Sequence, residues 1–339
     1  MSIAGRSLYD LTFDELAAAI GSRRAEQVYR DLYGGRPQQS SVLAEVCRDS
    51  GADLGHLSQL SQVGGATTVK HLFAVAGGDA IETVRIRRHD GFTACVSSQA
   101  GCGYACRFCA SGRDGLRRHL TSGEIVEQVV RLGRRVNRIV FMGIGEPLHN
   151  YDAVMRSIRI LRDRRGLGFK TGGITISTIG VPRGLVRLRE EHLKINLTIS
   201  LHATTQEARD HLIPGARRHP IDDLVELSQS WSHRHGRVVT YVYLLLPGVN
   251  DSDDDLRRLA DWFRGRPARV NLMRWNPVDG DDQFERISDR RLQEFKRGLE
   301  RADVATVVRD TQGRDVTAAC GQLRLHRGQA PRGQQVHLR

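Results

Sequence analysis

Three cysteines, Cys102, Cys106 and Cys109, stand in the spacing C-x3-C-x2-C. Three thiolates this close can hold three irons of a [4Fe–4S] cluster and leave the fourth iron open. An open iron can bind and reduce a small molecule, which a cluster with four protein ligands cannot easily do. A structural zinc knuckle is the alternative. Zinc needs a fourth protein ligand at a conventional spacing, and no second C-x2-C or H-x3-H partner occurs.

Other cysteines lie outside this triad. Cys95 precedes it in TACVSSQ (93–99), and Cys320 lies near the end of the chain in AACGQL (318–323). Each, taken singly, reads as a small buried hydrophobe. The glycine after Cys320 marks a turned loop that presents its thiol. Cys47 shares the apolar side of a helix with Leu43 and Val46 and reads as a core thiol. Glu82, just upstream of Cys95, reads from its position alone as a solvated strand carboxylate.

The elements around these residues follow from periodicity. Residues 1–68 read as a small helical domain, with Thr12 and Glu15 as a capping box and helices at 23–33 and 42–48. Residues 69–75 and 81–86 read as a hairpin around Gly77, Gly78 and Asp79, followed by a strand at 93–97. Beyond the cysteines, strands and helices alternate about six times through residue 309. Apolar strands alternating with helices imply a parallel sheet covered by helices. The fold class is therefore α/β, a partial (β/α)6 barrel spanning 69–327. Residues 328–339, rich in Gln, Gly and Arg, read as a disordered tail.

In parallel α/β architectures ligand chemistry collects at the carboxyl ends of strands. Gly145 and Glu146 follow the second strand in GIGEP (143–147), Ser177 ends the third, Ser200, Leu201 and His202 end the fourth, and Asn276 ends the sixth. A lone strand-end Ser or Asn more often caps the next helix. Together, beside a cysteine loop, they read as a cofactor pocket, with Glu146 as an acceptor for an ammonium group.

The triad spacing is similar to the signature of radical S-adenosylmethionine (SAM) enzymes. With CVSSQAGC (95–102), GIGEP, ISLH (199–202), WNP (275–277) and AACGQL, the chain resembles the RlmN/Cfr family of radical SAM RNA methyltransferases. The resemblance is collinear from 83 to 323 and loose over 1–70. It implies a radical-SAM barrel with a helical accessory domain, a cluster on Cys102, Cys106 and Cys109, and two SAM molecules per turnover. It implies methylation of an adenine ring carbon in 23S rRNA, and in some members tRNA. An aromatic C–H carbon between ring nitrogens is not nucleophilic, so methyl transfer needs a radical route. The resemblance gives Cys320 a methyl group from one SAM and lets a radical from the second remove a hydrogen from it. Cys95 then resolves the covalent RNA adduct by a transient disulfide with Cys320, and Glu82 takes the family position of the base. Segments 177–180 and 246–251 look closer to the C8 branch. GEP and WNP look closer to the C2 branch, and C2 is favoured. An electron donor such as flavodoxin or ferredoxin is implied as partner.

Composition agrees with an anionic partner. The formal net charge is +12 over 339 residues with histidine neutral. Of the 51 basic residues only Lys70, Lys170, Lys194 and Lys296 are lysine. Basic runs at 85–89, 113–119 and 131–138 flank the chemistry and suggest phosphate contacts. Arg314, Arg324 and Arg327 lie close to Cys320 in sequence, where positive charge favours a thiolate. Aromatic residues are only 6%, which argues against a non-specific stacking platform for single strands. No apolar run reaches membrane-spanning length and residues 1–20 lack signal-peptide architecture. The expectation is a cytoplasmic monomer, in which clustered thiols stay reduced.

Overall fold

The computed structural model describes residues 2–35, 37–278, 283–309 and 317–324, and the backbone of 326–327. The tail expected at 328–339 lies outside the described residues. Three helices come first: α1 (Phe13–Ile20), α2 (Ser22–Tyr33) and α3 (Ser41–Ser50). The expected capping box forms at α1, where Thr12 Oγ1 accepts from the Glu15 N–H and the Glu15 carboxylate accepts from the Thr12 N–H. Cys47 on α3 is partly buried against the core.

Strands β1 (Ser58–Gly64), β2 (Thr68–Ala74), β3 (Asp79–Arg88) and β4 (Gly91–Cys95) then form an antiparallel meander. The helical reading of 1–68 therefore ends early, because residues 58–64 are a strand. Neither face of β1 is fully buried, so its sequence carries no alternation to read. The short strands β5 (Gln99–Gly101) and β6 (Leu116–His119) pair with each other and frame the cysteine segment.

The alternating part runs α4 (Ser122–Arg131), β7 (Val136–Phe141), α5 (Tyr151–Arg162), β8 (Ile174–Thr178), α6 (Pro182–Glu190), β9 (Asn196–Ser200), α7 (Gln206–Leu212), α8 (Ile221–His235), β10 (Val239–Leu245), α9 (Asp253–Phe263), β11 (Ala268–Arg274), α10 (Asp289–Arg301) and β12 (Ala305–Val308). The sheet order is β1-β2-β3-β4-β7-β8-β9-β10-β11-β12, and every pairing from β4 to β12 is parallel. A last pair of residues, β13 (His326–Arg327), lies antiparallel on β3. The path is open, so the barrel is partial. The expected leading hairpin is the antiparallel flank of this same sheet.

Successive strand residues point to opposite faces. Ile174 and Ile176 of β8, and Tyr241 and Tyr243 of β10, are fully buried. The alternate residues face the barrel interior and divide it into two levels. Ser177, Ser200, Val242, Leu244 and Met273 line an upper cavity at the carboxyl ends. Thr175, Thr198, Thr240 and Asn271 line a lower one.

The leading helical segment is bonded to α4, the helix that follows the cysteine segment. Asp10 Oδ1 accepts from the Gly123 N–H at 3.0 Å and from the Ser122 hydroxyl at the N-terminus of α4. The fully buried Glu127 carboxylate accepts from the N–H groups of His56 (2.8 Å) and Leu57 (3.0 Å) and pairs with Arg131 (2.7 Å). Glu127→Ala removes an acceptor shared by three donors. We expect a loss of about 2–3 kcal/mol, measured as a lower urea midpoint. A midpoint equal to that of the wild type would show that water replaces the carboxylate there.

Candidate active site

The upper cavity gathers chemistry from distant parts of the chain. Cys102, Cys106 and Cys109 line it together with Gly145, Glu146, Ser177, Ser200, His202, Asn276 and Cys320. Burial pushes the Cys102 thiol up to about 12 and raises Cys106 and Cys109 as well, and for Cys106 the other two thiols add to the effect. Three thiolates packed this way repel one another, and a cationic centre among them relieves that repulsion. Among the described residues no three Cys, His, Asp or Glu side chains converge on a single metal ion. A [4Fe–4S] cluster instead gives each thiolate its own iron, so this donor set fits a cluster bound by Cys102, Cys106 and Cys109.

Glu146 is held from several sides. Its carboxylate accepts from the N–H groups of Leu148 and Ile179, each at 2.9 Å, and from the Thr178 hydroxyl. Its own N–H donates to Gln99 Oε1 at 2.8 Å. Burial still raises its carboxyl to about 7. The preceding Gly145 has φ +105°, and a Cβ there would stand 2.6 Å from the Gln99 side chain. Only glycine fits this approach.

His202 follows β9 with φ +57°. Its Nδ1 accepts from the Leu244 N–H at 3.1 Å, and Asn250 Nδ2 donates to its carbonyl at 2.7 Å. Burial, and then Arg209, lower the imidazole to about 3, so the ring is neutral and Nε2 carries its proton. Arg209, on α7, is fully buried and donates to the carbonyls of Leu201 (2.6 Å) and Ile179. Burial lowers it to about 10, which leaves it charged at neutral pH beside Cys106 and Glu146. Leu201 is not brought to the cavity. Its side chain is fully buried in the core, its N–H donates to Val242, and its carbonyl is taken by Arg209.

The loop carrying Cys320 is latched over the cysteine triad. The Ala110 N–H donates to the Gly321 carbonyl at 2.7 Å, and the Ser111 hydroxyl to the Leu323 carbonyl at 2.7 Å. Asn276 Nδ2 donates to the Cys320 carbonyl at 3.3 Å. Gly321 has φ +85°, the turn expected beside the thiol. Cys95 is buried at the end of β4 against Ala318 and Leu323 of this loop. Burial, and next the proximity of Cys320, push Cys95 up to about 12.

Glu82 is not solvated: it is 2% exposed on β3, because β2 flanks it and the Cys320 loop returns against its carboxylate. It pairs with Lys70 Nζ at 2.7 Å and accepts from the Arg324 N–H at 3.0 Å. Glu82 therefore sits behind the Cys320 loop and outside the cavity wall.

Several expected basic contacts are satisfied within the chain. Arg118 pairs with Glu124, Arg131 with Glu127, and Arg138 with Asp90. Arg314 and the side chain of Arg327 lie outside the described residues, and Arg324 faces Asp114 at 3.6 Å. The cavity cation is Arg309, past β12. Sequence reasoning missed both Arg209 and Arg309, which carry no motif. The alternation of β12 offered the only signal for Arg309.

Comparisons with known proteins agree with this geometry. The family model described as "Radical SAM superfamily" matches residues 96–260. A solved radical SAM methyltransferase from Sphaerobacter thermophilus superposes with a TM-score of 0.87 at 38% identity, covering 94% of this chain and 99% of that one. The fold and the site are those of a radical SAM enzyme, which implies a [4Fe–4S] cluster and SAM as cofactors. A probable RNA methyltransferase from Rhodopseudomonas palustris is 57% identical over 323 residues, covering 95% of this chain and 89% of its own. A probable dual-specificity RNA methyltransferase RlmN from Synechococcus elongatus is 40% identical over 344 residues, covering 97% and 94%. The chain belongs to the RlmN family of radical SAM RNA methyltransferases.

The raised Glu146 carboxyl has a definite sign in stability. Between pH 4.5 and about 7 the folded chain keeps a proton that the unfolded chain releases. Stability from this group therefore falls as pH rises through that window, by on the order of 3 kcal/mol in the ligand-free protein. Glu146→Gln removes the term. Urea unfolding at pH 5, 6 and 7.5 should show the variant gaining on the wild type as pH rises. A constant difference would contradict the assignment.

Proposed function

We propose that the protein methylates an adenine ring carbon, C2 rather than C8, in 23S rRNA and also in tRNA, through a methylated Cys320. The observation that carries this reading is the placement of Cys320 on the wall of the triad cavity with Cys95 packed beneath its loop. A thiol in ordinary SAM-dependent methylation needs no buried second thiol. A thiol that ends as a covalent adduct to RNA does.

Cys102, Cys106 and Cys109 hold the cluster, and Gly145, Glu146, Ser177, Ser200, His202 and Asn276 hold SAM, with Glu146 accepting from its ammonium group. SAM bound there supplies methyl groups and, on one-electron cleavage, hydrogen-atom abstraction; two molecules serve each turnover. Cys320 Sγ first accepts a methyl group as a thiolate. The methyl carbon, after loss of a hydrogen atom, bonds to the adenine carbon. The ring proton leaves to Glu82 as the base, and the one electron lost would be taken up by the cluster that Cys102, Cys106 and Cys109 hold. Lys70 Nζ stands 2.7 Å from the Glu82 carboxylate. Cys95 then attacks Cys320 Sγ, the sulfur–carbon bond electrons stay with carbon, and protonation leaves a methyl group on adenine. The Cys95–Cys320 disulfide must be reduced before the next cycle. An electron donor such as flavodoxin or ferredoxin completes the system. No helix among the described residues is long and apolar enough to cross a membrane. The setting we propose is a monomer in the cytoplasm, where ribosomal and transfer RNA are available.

The test is mass spectrometry of nucleosides from 23S rRNA and tRNA. The host lacks its own RlmN and expresses the wild type, Cys320→Ala or Cys95→Ala. Methyladenosine should appear with the wild type alone, and its retention time distinguishes C2 from C8. Cys95→Ala should leave protein covalently attached to RNA, visible as a shifted band that ribonuclease removes. No methyladenosine from a wild type that cleaves SAM would overturn the assignment to these RNAs.

A further inference from the structure

The lower level of the barrel interior is not part of the cysteine cavity, but the two share Met142 and Arg309. Four cations line it: Lys194 before β9, Arg237 before β10, Arg269 on β11 and Arg309 past β12. Among the described lining residues there is no carboxylate. Lys194 and Arg269 form no ion pair with a described residue. Arg237 gives one N–H to Asn196 Oδ1 at 2.9 Å, and Arg309 gives one to Met142 Sδ at 3.7 Å. Neither acceptor carries negative charge.

This arrangement is costly without an anion. Like charges around one concavity repel, and its walls concentrate their field. Other arginines of this chain are neutralised locally, as Arg118, Arg131 and Arg138 are. The lower barrel also differs from a packed barrel core, which branched apolar side chains fill. Here the inward positions are Thr175, Thr198, Thr240 and Asn271, and Lys194 and Arg269 are exposed. Register makes the placement systematic. Thr240 pairs with Thr198 and with Arg269, so these inward residues are direct neighbours across β9, β10 and β11.

We propose that this lower cavity holds phosphodiester groups of the RNA strand beside the nucleotide whose base enters the cysteine cavity. The inference rests on the RNA reading above. A base can reach a thiol at the barrel top only if its nucleotide leaves the stack. The flanking phosphates must then find cations, which the shared wall at Arg309 provides. Lys194, Arg237 and Arg269 extend that cationic track away from the cysteines.

The experiment measures binding of a fluorescent RNA stem-loop with an unpaired adenine, by anisotropy, between 50 and 300 mM salt. The proteins are the full-length wild type, Lys194→Gln/Arg269→Gln, each single variant, and Arg297→Gln as a control on the outer face of α10. Melting temperatures confirm that each variant is folded. Each lost phosphate contact should flatten the plot of log affinity against log salt by about 0.7, so the double variant should flatten it by about 1.4. At 0.1 M salt that corresponds to roughly 25-fold weaker binding, with each single variant between the double variant and the wild type. Equal slopes for the double variant, Arg297→Gln and the wild type overturn the lower cavity as the phosphate site. Millimolar inorganic phosphate that raises the melting temperature of the wild type but not of the double variant, without displacing RNA beyond its ionic strength, would assign the cavity to a free anion and also overturn the proposal. A wild type that shows no salt-dependent RNA binding sinks the RNA reading itself, a result distinct from the other two.

Discussion

The parallel register from β4 to β12 is the constraint on which the rest depends. Aligned parallel neighbours send matched residues to the same face, so a two-residue period becomes a shared layer. One layer holds Thr240 with Thr198, and the next holds Val242 with Ser200. Thr198 and Thr240 look into the cationic space and Ser200 and Val242 into the cysteine cavity. The boundary runs obliquely across the strands, since Ser177 pairs with Thr198 yet lines the cysteine cavity and Asn271 pairs with Val242 yet lines the cationic one. A slip of one residue in any strand would turn its inward set outward and break both levels at once.

Buried polar groups then lock the loops that the register brings together. Gln128 of α4 reaches two segments with one side chain. Its Oε1 accepts from the Thr83 hydroxyl and the Ser97 N–H, each at 2.8 Å, and its Nε2 donates to the Ser97 carbonyl at 3.0 Å. Arg209 ties the loops after β8 and β9 through their carbonyls, and Glu146 gathers the N–H groups of two segments. Such groups are expensive to bury unsatisfied, so each one specifies a single arrangement of its partners. Asp10 and Glu127 carry the same logic outward and anchor the leading helices to the helix that follows the cysteines. The cavity wall is thus coupled to parts of the chain that never touch it.

Much of this was legible beforehand. The capping box of Thr12 and Glu15 at α1 and the paired strands β2 and β3 follow from capping residues and periodicity. Strand ends pointed to Glu146, Ser177, Ser200, His202 and Asn276, and all of these line the cavity. The failures have physical causes. β1 has no fully buried face, so no alternation marks it. α7 has seven residues, too few for two turns of readable periodicity. Leu201 alternates with two cavity residues and so points into the core. Glu82 looked solvated because one strand does not reveal that the loop at Arg324 returns to meet it. Arg209 gave no signal, since a buried guanidinium is recognisable only by the carbonyls around it.

The sequence by itself determined the chemistry and the fold class, because both rest on local spacing: three thiols in one loop, and strands and helices in alternation. It also determined which residues stand at strand ends. Only the tertiary structure decided that Cys320 returns across more than two hundred residues to the wall of the triad cavity, with Cys95 beneath its loop. It likewise decided that Arg118, Arg131 and Arg138 of the basic runs form ion pairs while four scattered cations share one concavity. Charge and reactivity belong to residues and can be read in order. Proximity belongs to the folded register, and neither charge nor composition encodes it.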